Sequence, residues 1–84
     1  MSVRTTRQDL FQLLANAFQE PPGSVTENRS RQSLPNWDSM GNLMLIAELD
    51  EKLHVTFDEE ELKGLTSVAD ILALLREKGV EVTD

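Results

Sequence analysis

Cysteine and tyrosine are absent from this chain of 84 residues, histidine and tryptophan occur once each, and the remaining aromatics are three phenylalanines. Without cysteine there is no disulfide staple, no thiolate zinc site and no cysteine nucleophile. The single histidine, His54, makes no metal cluster by itself. Basic charge is thin as well. Eight Lys and Arg face 15 Asp and Glu, a formal net charge of −7, which argues against a phosphate-backbone ligand and so against nucleic acid as a partner. No apolar run is long enough to cross a bilayer, and the opening MSVRTTRQDL lacks the continuous apolar stretch of a signal peptide, so a cytoplasmic location away from membranes is expected. The length leaves no room for a dinucleotide-binding sheet with a substrate domain, and one domain over residues 1–84 is expected. What is present, 39% hydrophobic and 27% charged residues, is the mixture of a globular domain with a small, mostly aliphatic core.

The charge is lopsided. Residues 1–37 carry four basic and three acidic side chains, whereas residues 38–84 carry four basic and twelve acidic ones, so the second half is expected to face the partners. Hydrophobic spacing predicts four helices, at about 6–19, 39–54, 58–63 and 67–78: an all-α fold, a small bundle of three main helices plus one short helix. Leu10, Leu13, Leu14, Ala17 and Phe18 form the first stripe, opened by Thr6 with Asp9 three residues on and closed by Pro21-Pro22-Gly23. Asp38 opens the second helix and Asp58 the short one, where Glu59, Glu60 and Glu61 suit a positive N-terminus and Gly64 ends the turn. Ser67 with Asp70 opens the last, and Gly79 stops it. Nothing alternates like a strand for long. The expected core is Leu10, Leu14, Phe18, Ile46, Leu49, Leu53, Val68, Ile71, Leu72 and Leu75. Residues 20–37 read as a long loop anchored by Val25, Leu34 and Trp37, and a loop of that length needs a reason.

The second helix has two apolar faces. Counted from Ser39, Leu45, Ile46, Leu49 and Leu53 fall between about 240° and 340°, a core stripe. Met40, Leu43, Met44 and Ala47 fall between about 40° and 140°, with Asp50, Glu51 and Glu48 around them. An apolar strip rimmed by acids is how a docking surface is built, although the long loop could instead cover it.

Asp38-Ser39-Met40 stands at the start of that helix, where free N–H groups and the helix dipole favour a phosphate. By itself the tripeptide is an ordinary capping sequence. The longer stretch Trp37-Asp38-Ser39-Met40-Gly41-Asn42-Leu43-Met44-Leu45-Ile46-Ala47-Glu48-Leu49-Asp50-Glu51, with Phe57-Asp58-Glu59-Glu60-Glu61-Leu62 and Leu65-Thr66-Ser67-Val68-Ala69-Asp70-Ile71, resembles the acyl carrier proteins. The resemblance covers residues 34–79 well and the first helix by pattern. It implies that Ser39 carries 4′-phosphopantetheine from coenzyme A, whose thiol holds cargo as a thioester, and that Asp38 caps the helix and helps orient a separate phosphopantetheinyl transferase. It implies no intrinsic enzyme activity, a monomer, and delivery of acyl intermediates to loading and condensing enzymes through Met40, Leu43, Met44, Ala47, Glu48, Asp50 and Glu51. Gly41 and Met44 depart from the acidic residues of many fatty-acid carriers, which points to a specialised polyketide- or peptide-like pathway. A D-alanyl or peptidyl carrier is the alternative within the family, and an unmodified helical adaptor the alternative outside it.

Other residues read more plainly. Asp58 to Glu61 lack the alternate spacing of a calcium loop and fit a solvated helix start, so no metal is expected. His54 reads as a surface group at a helix end, Trp37 as an anchor of the loop, and Arg29 and Arg31 as solvated loop charges, with an anion site as the alternative.

Overall fold

Side chains at four helix starts set the architecture of the computed structural model, which describes residues 3–83. The Thr6 hydroxyl accepts from the Asp9 N–H at 3.0 Å and opens α1 (Arg7–Ala17). Asp38 accepts from the Gly41 N–H at 3.0 Å and opens α2 (Ser39–Leu53). Asp58 and Glu61 bond each other's backbone N–H, at 2.7 and 2.9 Å, and open α3 (Glu59–Lys63). Ser67 accepts from the Asp70 N–H at 3.2 Å and opens α4 (Val68–Glu77). Each bond satisfies an N–H that the first helical turn leaves without a partner. The helix ends are equally local. Gln19 at φ 55° turns the chain out of α1 ahead of the two prolines, and His54 at φ 54° is the left-handed cap of α2, exposed to solvent.

The bundle is mostly helical, and it carries one addition that the sequence pattern did not suggest. Strands β1 (Val3–Thr6) and β2 (Val80–Thr83) pair in parallel, Val3 with Val80 and Thr6 with Thr83. Arg4 and Glu81 bridge them at 3.0 Å. Four residues are too few to display an alternation, and the pairing joins segments about as far apart in sequence as the chain allows, which no local window can register.

Leu10 and Leu14 of α1, with Phe18 capping its end, meet Leu45 and Leu49 of α2 and Ile71, Leu72 and Leu75 of α4 in one cluster, with Val68 and Leu53 buried beside them. Ile46 is the exception among the expected core residues, being only half-buried. At about 340° it lies at the margin of the inward stripe, so it packs on one side and faces a groove on the other.

The long connection after α1 is held down along its length. Val25, Leu34 and Trp37 are buried, and the Trp37 ring stacks on Phe18 with 5.0 Å between centroids. Arg29 and Arg31 are not solvated charges. Arg29 donates to the Ser24 and Ser33 carbonyls at 2.7 and 2.6 Å and pairs with Glu20 at 3.6 Å. The Arg31 side chain donates to the Leu62 carbonyl at 3.1 Å. Backbone bonds complete the attachment: the Arg31 N–H reaches the Thr66 carbonyl at 2.9 Å, and the Val68 N–H reaches the Arg29 carbonyl at 3.0 Å. The loop is thereby stitched to the α3–α4 connection, which buries its backbone without leaving those groups unpaired.

Candidate functional site

Ser39 is the first residue of α2, and it is exposed, directly after the anchor Trp37 and the cap Asp38. Two loop side chains and a glycine fix it there. Trp37 Nε1 donates to Asn42 Oδ1 at 2.9 Å, which ties the loop's end to the first turn of α2. Asn36 Nδ2 donates to the Phe18 carbonyl at 3.1 Å, which ties the same segment to the end of α1. The backbone of Asn36 passes so close to α2 that a Cβ on Gly41 would be driven into its carbonyl oxygen. Gly41, buried, is therefore the residue that lets loop and helix touch just beside the serine.

Ser39 opens onto a groove of about 640 Å³ between α2 and α3, lined by Trp37, Leu43, Ile46 and Leu62, with Arg31, Lys63, Asp38 and Glu59 as its charged members. The expected docking residues divide around α2. Met40 and Leu43 are 68% and 62% exposed and Met44 is 40% exposed, and Ala47, Asp50 and Glu51 are exposed with them. The loop does not cover this face. Leu43 borders the Ser39 groove, whereas Met40 and Met44 border a smaller cleft of about 140 Å³ at the end of α1, with Ala17, Gln19 and Asn36. Glu48 is set apart from the others. It is half-buried and lines a groove with Asp9, Gln12, Leu13, Asn16, Lys52 and Leu53.

Sequence reasoning passed over Gly41 as a contributor to this site and read Arg31 as a solvated charge in preference to an anion site. The signal for Gly41 was its place in the first turn of a helix, where glycine costs stability unless a close approach requires it. The sequence carried no signal for the place of Arg31 beside Ser39, because its side-chain partners come from α2 and α3. Among the described residues no group of His, Asp and Glu is placed to hold a metal ion, and no helix is long and apolar enough to cross a membrane.

The helix order, the long first connection and the serine at the head of α2 are the arrangement of the acyl carrier proteins. The chain has that fold. It is similar to the solution structure of a holo acyl carrier protein from Geobacter metallireducens, with a TM-score of 0.70 and 26% identity over 83% of this chain and 80% of that one. No family model and no curated protein matches the chain. By fold the protein is of the carrier type.

The residues fit a phosphopantetheine group. A primary hydroxyl is exposed at the mouth of a groove, at the positive end of a 15-residue helix, and Arg31, which lines that groove, has a buried Nε without a hydrogen-bond partner. When bound, the group supplies the thiol that this cysteine-free chain lacks.

Proposed function

We propose that the protein is an acyl carrier that bears 4′-phosphopantetheine on Ser39 and presents acyl intermediates as thioesters to the enzymes of a specialised biosynthetic pathway in the cytoplasm. The observation that carries this reading is the exposed Ser39 hydroxyl at the head of α2 in an acyl-carrier fold. A separate transferase deprotonates that hydroxyl, whose oxygen forms a bond to the pantetheine-side phosphorus of coenzyme A while the bond to the adenosine-side phosphate breaks. Asp38 keeps α2 wound to its first residue, so the nucleophile is held at a fixed place for the transferase. Met40, Leu43, Met44 and Ala47, with Asp50 and Glu51 beside them, form the face that partner enzymes meet. Glu48 belongs to the neighbouring groove. The residues 1–84 then act as a single carrier domain.

Gly41 and Met44, in place of the acids of many fatty-acid carriers, support the specialised pathway. The test is the mass of the protein after incubation with coenzyme A, Mg²⁺ and a phosphopantetheinyl transferase. The parent gains one phosphopantetheine, and Ser39→Ala folds and gains none. A mass gain in Ser39→Ala removes the serine from its role, and no gain in the parent with any transferase leaves an adaptor that works through the same face.

A further inference from the structure

We propose that Arg31 is the counter-ion of the phosphodiester on Ser39, a positioning residue that holds the base of the arm in the groove between α2 and α3. The proposal rests on the carrier reading and goes beyond it by assigning a side chain of the long loop to the attached group.

The protein has nearly twice as many acids as bases, and its other cations in packed surroundings have found carboxylates. Arg7 meets Glu27 at 2.7 Å, Arg29 meets Glu20 at 3.6 Å and Lys78 meets Glu61 at 2.9 Å. Arg31 is half-buried and makes no ion pair with any described residue. Its hydrogen bonding is incomplete too. One nitrogen, Nη2, donates to the Leu62 carbonyl at 3.1 Å and, at the long distance of 3.5 Å, to Asn42 Oδ1. That oxygen is already held by the Trp37 indole at 2.9 Å, so the guanidinium is the weaker of two donors competing for it. Nε is fully buried and has no acceptor. A partly desolvated cation with an orphaned N–H costs stability, and the cost falls when an anion arrives.

The place where one would arrive is fixed by the fold. Arg31 lies over the Trp37 ring, 5.2 Å from its centroid, and lines the same groove as Ser39. Trp37 precedes the Asp38-Ser39 pair in sequence, so the platform that orients the guanidinium also sets the start of α2. A phosphodiester carries one negative charge and two free oxygens, which suits a planar fork of donors and would replace the long bond to Asn42. Lys63 lines the groove as a second cation, and Asp38 and Glu59 oppose both. The attraction is to the phosphate oxygens and is indifferent to the cargo, so it is expected with every thioester.

The experiment compares the unmodified protein with the form whose mass confirms phosphopantetheine, by NMR of the Arg31 Nε–Hε group and of the arm's phosphorus. On modification the Nε–Hε resonance moves and its hydrogen exchange slows by about tenfold or more, the factor one charge-assisted hydrogen bond supplies. In Arg31→Gln the phosphorus line sharpens as the phosphate is released, and Arg31→Lys, which keeps the charge and loses the fork, lies between. The parent comparison needs no variant, so it decides even if Arg31→Gln fails to fold. An Nε–Hε group unchanged by a confirmed mass gain overturns the assignment and leaves the carrier reading intact. The same change on adding inorganic phosphate to Ser39→Ala also overturns it, since the guanidinium would then be a general anion site. Absence of any mass gain overturns both.

Discussion

The two apolar faces of α2 are made of similar residues and have opposite fates. Leu45, Leu49 and Leu53 are buried against α1 and α4, whereas Met40, Leu43 and Met44 remain open to solvent only part of a turn away. Side-chain chemistry does not separate them. What separates them is where the long loop is held: Arg29, Arg31 and Trp37 draw it toward α3 and the α3–α4 connection, and the face that it could have covered stays free. The exposed stripe is thus preserved by interactions made elsewhere, and an interaction face of this kind is a property of the loop as much as of the helix.

The sharpest way to break the comparison is to truncate one residue on each face. Leu49→Ala removes a fully buried side chain and is expected to cost about 2–5 kcal/mol by urea denaturation. Leu43→Ala, on the open face, should stay within about 0.5 kcal/mol of the parent. Equal losses would mean that the outward face is packed in solution and is not a docking surface.

Gly41 is the hinge between the two regions, because it lies where loop and helix touch. Gly41→Ala should cost roughly 1–3 kcal/mol, since the new methyl meets the Asn36 carbonyl and backbone cannot move aside cheaply. Trp37 stacks on Phe18 nearby, so its fluorescence should change together with the stability. A variant as stable as the parent, with unchanged fluorescence, would show that the loop gives way there, and the fixed position of Ser39 would lose its explanation.

These effects also mark what the sequence could and could not reveal. The helices and their caps were legible because Thr6, Asp38, Asp58 and Ser67 act on N–H groups three residues away, and the core stripes repeat within each helix. The carrier fold was legible because the run around Ser39 is long and distinctive. Ile46 was misplaced because an angular count has no sharp edge at the margin of a stripe. The strands, the stitching of the loop by Arg29 and Arg31, and the contact at Gly41 all join distant segments, and none leaves a local period behind. Of the candidate site, the serine and the exposed stripe were readable, and the placement of Arg31 in the groove was not.

A smaller effect concerns acid. The Asp70 carboxyl is held below its ordinary value by the Thr66 hydroxyl, at 2.7 Å, and by the Thr66 N–H, at 2.9 Å. Glu61 is lowered by the Asp58 N–H and by Lys78. A carboxyl whose folded value is depressed contributes stability that is complete above its unfolded value and is lost as pH falls through the folded one. Stability should therefore decline as pH drops below 4.5, the ordinary value for Glu61, and further below 3.8, that for Asp70. Thr66 also accepts the Arg31 N–H, so loosening Asp70 loosens the loop that leaves the outer face open. Asp70→Asn should be less stable at neutral pH and show a shallower acid decline in urea midpoints. An acid decline as steep as the parent's would place the titrating groups elsewhere.

The last comparison is within the open face, between apolar contact and charge. Met44 is 40% exposed and borders the cleft at the end of α1, while Asp50 and Glu51 are exposed on the same helix. Docking through Met44 should depend on burial, and docking through the acids on steering, which weakens as salt shortens the screening length to roughly 8 Å at 0.15 M. Met44→Glu is expected to weaken binding of the native partner by about tenfold, near 1.4 kcal/mol, a fraction of what burying a methionine side chain is worth. It should also make the remaining binding more sensitive to salt and favour enzymes that serve acidic carriers. Met44→Ala separates lost packing from added charge: it should lose affinity without steepening the salt dependence. If Met44→Glu binds the native partner like the parent across a salt series, Met44 lies outside the interface. Docking would then be confined to Leu43 and the Ser39 groove, on the side of α2 toward α3.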